Sequence, residues 1–285
     1  MQLAIQISII ALMSAFVYAL VALGFTLVFG ILRIVNFAHG EFYMLGAYAV
    51  YVFYGQLGWP YLPAIAASAL VVGLFGILTE RILFRRFAGD EMGGMIMSLA
   101  LAITLQAAVS LIFSVDEHSV ARPVEGAIEL GRIFLAKDQL LVVAVTLLAL
   151  AAFYALIEKT RLGITIRAVA QDREVALLQG VRSWRIMALT FGLACMLAAL
   201  AGALMAPIYT IHPYMGELVV VKAFIIVVLG GLGSLPGAVA AALILSFTEA
   251  IAATFYNATV ATMLSFLIVI AVLLVRPAGL MGRTS

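Results

Sequence analysis

Nine apolar runs follow one another along this chain, at roughly residues 5–32, 42–58, 60–79, 93–115, 139–157, 186–211, 218–232, 236–256 and 258–275. A helix that crosses the hydrocarbon of a bilayer needs about 20 mostly apolar residues. The first run exceeds that and the seventh falls short, so the pattern predicts eight or nine crossings. No polar stretch between the runs is long enough for a soluble domain. Composition agrees: 66% of the 285 residues are hydrophobic and 11% charged, against about 25% charged in soluble domains. The expected fold class is all-α, a polytopic membrane protein forming one transmembrane domain over 1–285. The first run lacks a basic leader and is too long for the apolar core of a cleavable signal. One cysteine, Cys195, excludes a disulfide framework and a cysteine-based metal site.

The charges are segregated, and basic residues orient membrane helices. Segments 80–91 (Arg81, Arg85, Arg86) and 158–185 (Lys159, Arg161, Arg167, Arg173, Arg182, Arg185) hold nine of the sixteen lysines and arginines. Both are expected in the cytoplasm, with 116–138 outside. Arg276 and Arg283 then put the C-terminus inside, and the N-terminus falls outside. The net charge of +2 gives no reason to expect nucleic acid.

Two apolar stretches are interrupted. In the first, GILRIVNFAHGEFYMLG (30–46), a helix starting at Asn36 would carry Asn36, His39, Gly40 and Tyr43 on one face and turn Glu41 elsewhere. Such a face inside hydrocarbon needs a cavity or a neighbouring helix; a solvated cytoplasmic loop is the plain alternative. In the second, VLGGLGSLPGA (228–238), Gly230, Gly231, Gly233, Ser234, Pro236 and Gly237 break the run. A tight turn explains them, as does a discontinuous helix lining a pathway. An interrupted helix in each half of a chain is a pointer to a transport site, and the two breaks are expected to meet at mid-depth around a shared hollow.

Segment 158–185 contains a short helix, expected at Arg173–Gln179, with Asp172 as N-cap, Glu174 in the first turn and Gly180 just past its end. Its apolar residues suit either the headgroup surface or a groove on a partner.

Four stretches in order, ALGFTLVFGILRIVNFAHGEFYMLGAY (22–48), TRLGITIRAVAQDREVALLQGV (160–181), VVLGGLGSLPGAVAAAL (227–243) and LLVRPAGLMG (273–282), resemble the LivH-type permease of bacterial branched-chain amino-acid ABC importers. The resemblance implies a transmembrane subunit in the bacterial inner membrane, paired with a sister permease. Two cytoplasmic ATPase subunits and a periplasmic amino-acid-binding protein would complete the importer. It implies that Asp172, Arg173, Glu174, Ala176, Leu177 and Gly180 couple to the ATPase. It also implies that Asn36, His39, Gly40, Glu41 and Tyr43, with Gly230, Gly231, Gly233 and Ser234, lie near the substrate path. No cofactor is expected in this chain, because it has no G-x-x-x-x-G-K-[ST] phosphate loop and ATP would be bound by the partners.

Two rivals follow from the residues. An ion-coupled secondary transporter of small amino acids or amides would use Glu41, Glu217 or Glu249; Glu217 and Lys222 are expected to snorkel or pair near an external end, and Glu249 to hydrogen-bond between helices. An intramembrane enzyme would use His39 and Glu41 as acid and base and Ser234 as nucleophile. Residues at i and i+2 do not face one another on a helix, and Ser234 lacks the G-x-S-x-G frame.

Overall fold

A computed structural model describes residues 2–124, 126–130 and 133–282. Arg283, one of the two basic residues used to orient the C-terminus, lies outside them. The described chain forms eleven α-helices and a small hairpin. Seven helices are long and apolar enough to cross a membrane: α1 (Gln2–Leu32), α3 (Tyr61–Ile82), α4 (Glu91–Phe113), α5 (Lys137–Lys159), α8 (Ser183–Met205), α10 (Leu235–Phe255) and α11 (Ala258–Val275). The shorter ones are α2 (His39–Val50), α6 (Arg161–Gln171), α7 (Arg173–Leu178) and α9 (Met215–Gly230). A π-helical turn, Tyr51–Gln56, extends α2, and a 3₁₀ turn, Phe84–Phe87, follows α3.

Within the polar segment 116–138, β1 (Ala127–Leu130) and β2 (Ile133–Ala136) pair antiparallel, a small addition to an otherwise helical fold. His118 and Ile211 also form a bridge that ties this segment to the α8–α9 loop. That end of the bundle is called here the hairpin face, and the opposite end the α6–α7 face.

The core is built around α1 and α8, which are apolar all round and buried among the other helices. Helix α8 packs against α1, α2 and α3, and α1 also packs along α10. Small residues permit these close approaches, since little hydrophobic force separates helix contacts from lipid contacts. Gly73 and Gly76 of α3 lie against Gly192 and Cys195 of α8. Helices α4, α5, α10 and α11 turn large apolar side chains outward, among them Leu111, Leu148 and Leu274, as lipid-facing surfaces do.

Candidate functional site

Arg33 ends α1 in the left-handed region (φ 54°), its N–H bonding back to the Phe29 carbonyl at 2.9 Å. The chain then turns back into the bundle instead of leaving it. Helix α2 starts at His39, not at Asn36, because Asn36 is spent on the turn. Its side-chain oxygen accepts from Ala38 N–H at 3.1 Å and its carbonyl from His39 N–H at 3.2 Å. Ser98 of α4 accepts from the Phe37 N–H at 3.1 Å. Irregular backbone inside the bundle thus finds partners in protein, as membrane depth demands.

The first turns of α2 point in several directions. His39 is fully buried, its Nε2 3.0 Å from the Val21 carbonyl and its ring edge-on to Phe25. Val21 precedes the end of α1 by eleven residues, roughly 16 Å along the helix, so α2 begins deep in the bundle. Gly40 meets Gly216 at the start of α9 backbone to backbone. Glu41, also buried, accepts from Gln106 Nε2 at 3.0 Å, and the same amide donates to Glu217 at 3.2 Å. Asn36 Nδ2, His39 Nδ1 and Glu41 Oε2 are buried without a hydrogen-bond partner among the described residues. Buried polar atoms are seldom left so.

The second interruption is a helix end and a helix start in succession. Helix α9 stops at Gly230, and Gly231 (φ 102°) makes the turn in a conformation that only glycine adopts at low cost. Ser234 caps α10, accepting from Gly237 N–H at 3.2 Å, with Pro236 in the first turn. The final motif of the sequence, LLVRPAGLMG, folds over this turn. Leu280 N–H donates to the Leu229 carbonyl at 2.8 Å and Met281 N–H to the Gly230 carbonyl at 3.0 Å. The terminal strap thereby satisfies acceptors that the end of α9 leaves free.

The two interruptions do not share a hollow. Tyr43 lines a cavity of about 310 Å³ at the hairpin face, together with Tyr18, His212 and Lys222. Gly233 lines a cleft of about 540 Å³ at the other end, with Gly30, Arg33, Arg167 and Gln171. It also borders, with Ser234, an apolar cleft of about 560 Å³ between α1, α5 and α10. Tyr18 and Gly30, twelve residues apart on α1, mark a separation of roughly 18 Å between the hairpin-face cavity and the Arg33 cleft. Asn36, His39, Gly40, Glu41, Gly230 and Gly231 line none of these three spaces. The reason is packing: Gly40 is covered by Gly216, Gly230 by Gly237, and Gly231 by the terminal strap.

At the α6–α7 face, Asp172 accepts from the N–H groups of Glu174 (2.9 Å) and Val175 (3.0 Å), which fixes the start of α7. Gly180 follows the helix with φ 79°. The helix is one residue shorter than expected, ending at Leu178. Ala176 faces inward and is buried, while Val175, Leu177 and Leu178 are exposed, Leu178 at 86%. Trp184, at the start of α8, receives two guanidinium groups, which no local pattern signals. Arg173 of α7 lies 4.2 Å and Arg85 of the 3₁₀ turn 4.7 Å from the ring centre.

Of the two alternatives expected for Glu217 and Lys222, snorkelling or pairing, pairing with one another does not form. Five positions apart, they point to different sides of α9. Lys222 instead reaches Glu249 of α10 at 2.9 Å and the Tyr18 hydroxyl of α1 at 2.8 Å, and Ser265 of α11 donates to Glu249 at 3.0 Å. Glu249 does hydrogen-bond between helices, as expected, and it also neutralises a cation. The isolated charges in the apolar runs were the available signal; their partner lay 27 residues away.

A family described as branched-chain amino acid transport system / permease component matches residues 7–273. The chain is 36% identical to the high-affinity branched-chain amino acid transport system permease protein BraD of Pseudomonas aeruginosa, over 93% of this chain and 92% of that one. It is 36% identical to the permease protein LivH of Escherichia coli, over 93% and 91%. A probable LivH of Methanocaldococcus jannaschii is 28% identical over 92% and 88%. No solved structure matches the chain. A match across almost the whole length identifies a transport subunit of an ABC system that works with ATPase and binding-protein partners and is not itself an enzyme. The chain belongs to the branched-chain amino acid ABC transporter permease family.

Proposed function

We propose that this chain imports branched-chain or other hydrophobic amino acids by alternating access, as one transmembrane domain paired with a sister permease. Two cytoplasmic ATPases and a periplasmic binding protein complete the assembly in the bacterial inner membrane. The hairpin face is periplasmic and the α6–α7 face, with its cluster of arginines, cytoplasmic. One observation carries the reading. Cavities open toward opposite faces of the bundle, and the layer between them is filled by His39, packed against Val21 and Phe25 of α1. This is what a permease at rest between two accessible states requires.

Nine crossings, two of them broken, are supported by direction. Helix α1 ends at Arg33 on the α6–α7 side, whereas α3 starts where Tyr61 donates to the Ala203 carbonyl near the other end of α8. The segment 33–60, including α2 and its π turn, therefore traverses the bundle, and α9 does the same between the α8–α9 loop and Gly230. Asn36, His39, Gly40 and Glu41 act in this reading as the moving layer. Tyr43 belongs to the outer opening, and Gly230, Gly231, Gly233 and Ser234 to the inner one. Asp172, Arg173, Glu174, Ala176, Leu177 and Gly180 form the coupling helix and its caps, whose exposed apolar side fits a groove on an ATPase.

The test is uptake of labelled leucine into proteoliposomes holding the complete assembly. Uptake that needs ATP and the binding protein and survives an uncoupler is the expected result. Uptake that collapses with the ion gradient would favour the ion-coupled rival. Orientation is read by membrane-impermeant thiol reagents on Tyr209→Cys and Leu178→Cys in a Cys195→Ser background. Equal labelling of both positions from one side would overturn the assignment of faces.

A further inference from the structure

The cavity at the hairpin face holds an unusual set of donors for a space bordered by apolar helices. Lys222 has three N–H donors. One goes to the Tyr18 hydroxyl oxygen and one to Glu249, at 2.8 and 2.9 Å, which leaves the third. Tyr18 accepts in that bond, so its own O–H proton remains to be donated. The Tyr43 hydroxyl, from the facing α2, has no hydrogen-bond partner among the described residues. All three side chains line the cavity, whereas Glu249 does not. The space is therefore presented with donors from α1, α2 and α9, while the only carboxylate of the network stands behind Lys222. The remaining wall includes Met205, Leu218 and Val219. A volume of about 310 Å³ lies at the small end of the range for small-molecule pockets.

We propose that this cavity is a subsite for the carboxylate of the transported amino acid, held by Lys222, Tyr18 and Tyr43, with the side chain against the Met205, Leu218 and Val219 wall. The assignment rests on the amino-acid reading above and adds the residues that recognise the ligand. Glu249 has a definite part in it. By pairing with Lys222 it allows a cation to remain at this depth when the site is empty, because an unpaired buried charge is costly. It also weakens the pull on an incoming carboxylate, since the cation is already shared. A site on a transport route must bind well enough to admit its solute and weakly enough to release it.

The experiment compares L-leucine with leucinamide, which differs only in having its carboxylate replaced by a neutral amide. Binding of each is measured on the assembled permease–ATPase complex in nanodiscs with the binding protein left out. The wild type is expected to favour leucine. Tyr18→Phe/Tyr43→Phe, which keeps both rings, is expected to raise the half-saturating leucine concentration about tenfold or more and that of leucinamide by less, because the amide oxygen accepts the same hydroxyl protons without a charge. Lys222→Gln/Glu249→Gln, which removes both charges together, is expected to abolish the preference. Co-purification with the ATPase subunits in wild-type yield verifies that each variant is assembled. Wild-type leucine affinity in both assembled double variants, or no preference between the two ligands in the wild type, would overturn the subsite. Failure of the amino-acid reading looks different: wild-type proteoliposomes would import no leucine, isoleucine or valine.

Discussion

Gly40 and Gly216 lie in backbone contact, and a methyl group added to either would overlap the carbonyl of the other. The contact brings the first turn of α2 against the first turn of α9, so two helices that begin inside the bundle are held together at their starts. Gly40→Ala is expected to destabilise the protein by about 1–3 kcal/mol through overpacking and to reduce uptake strongly. Gly30→Ala is the control, since nothing lies within 4 Å of a methyl there; replacing a helical glycine should be neutral or stabilise by up to about 1 kcal/mol. Thermal unfolding of the purified protein in detergent checks both, and equal effects at the two positions would contradict the packing account.

Lys222 and Glu249 should behave as a unit. Removing either partner leaves the other as a charge among apolar helices, at an expected cost of about 3–5 kcal/mol, whereas Lys222→Met/Glu249→Met should be near neutral for stability. A double-mutant cycle on unfolding free energy measures the coupling. Additive effects would mean that the two side chains do not depend on one another.

In the proposed coupling helix, Asp172 is expected to matter more for transport than for folding. Asp172→Ala removes the acceptor for two N–H groups at the start of α7, worth about 1 kcal/mol locally. The expected outcome is a protein that inserts normally but transports fewer amino acids per ATP. Leu178→Glu, at the most exposed large apolar residue of α7, should lower recovery of the ATPase subunits with the permease. The ratio of uptake to ATP hydrolysis tests the first, and pull-down yield the second.

At the turn between α9 and α10 the glycines should rank in a definite order. Gly231 combines positive φ with close contact to the strap at Ala278 and Gly282, while Gly233 has positive φ and open space around it. Gly231→Ala is therefore expected to destabilise more than Gly233→Ala, whose cost is about 1–2 kcal/mol of backbone strain. Gly233→Leu should leave the protein in the membrane but block uptake. Leu280→Pro deletes the donor to the Leu229 carbonyl and should approach Gly231→Ala in effect. Unfolding midpoints together with uptake rates separate these cases.

What could be read from the chain without coordinates was whatever is encoded locally. Apolar run length located the long helices, and Asp172 and Gly180 bounded α7 because caps act within one turn. The interruptions at 33–38 and 231–234 were visible for the same reason. Helix α6 is marked only by Leu162, Ile166 and Val169 at helical spacing, too short a pattern to stand out in a segment whose arginines also serve as an orientation signal. The fate of each glycine was not legible either. Whether Gly40 faces a cavity or another backbone depends on Gly216, 176 positions later, and no local pattern carries that information. The strap over Leu229 and Gly230, the Lys222–Glu249 pair and the separation of the two openings are all products of which helices become neighbours.

The indole of Trp184 carries guanidinium groups from α7 and from the 3₁₀ turn after α3, while its own backbone opens α8. Helix α7 is thus joined through one ring to the end of α3 and the start of α8 rather than hanging in a loop. Because α8 runs past α2 with Gly202 against Tyr43, its far end rests on the helix that borders the opposite opening. One aromatic ring therefore stands at the junction of three elements, and a chain of direct contacts leads from it along α8 to the opposite opening.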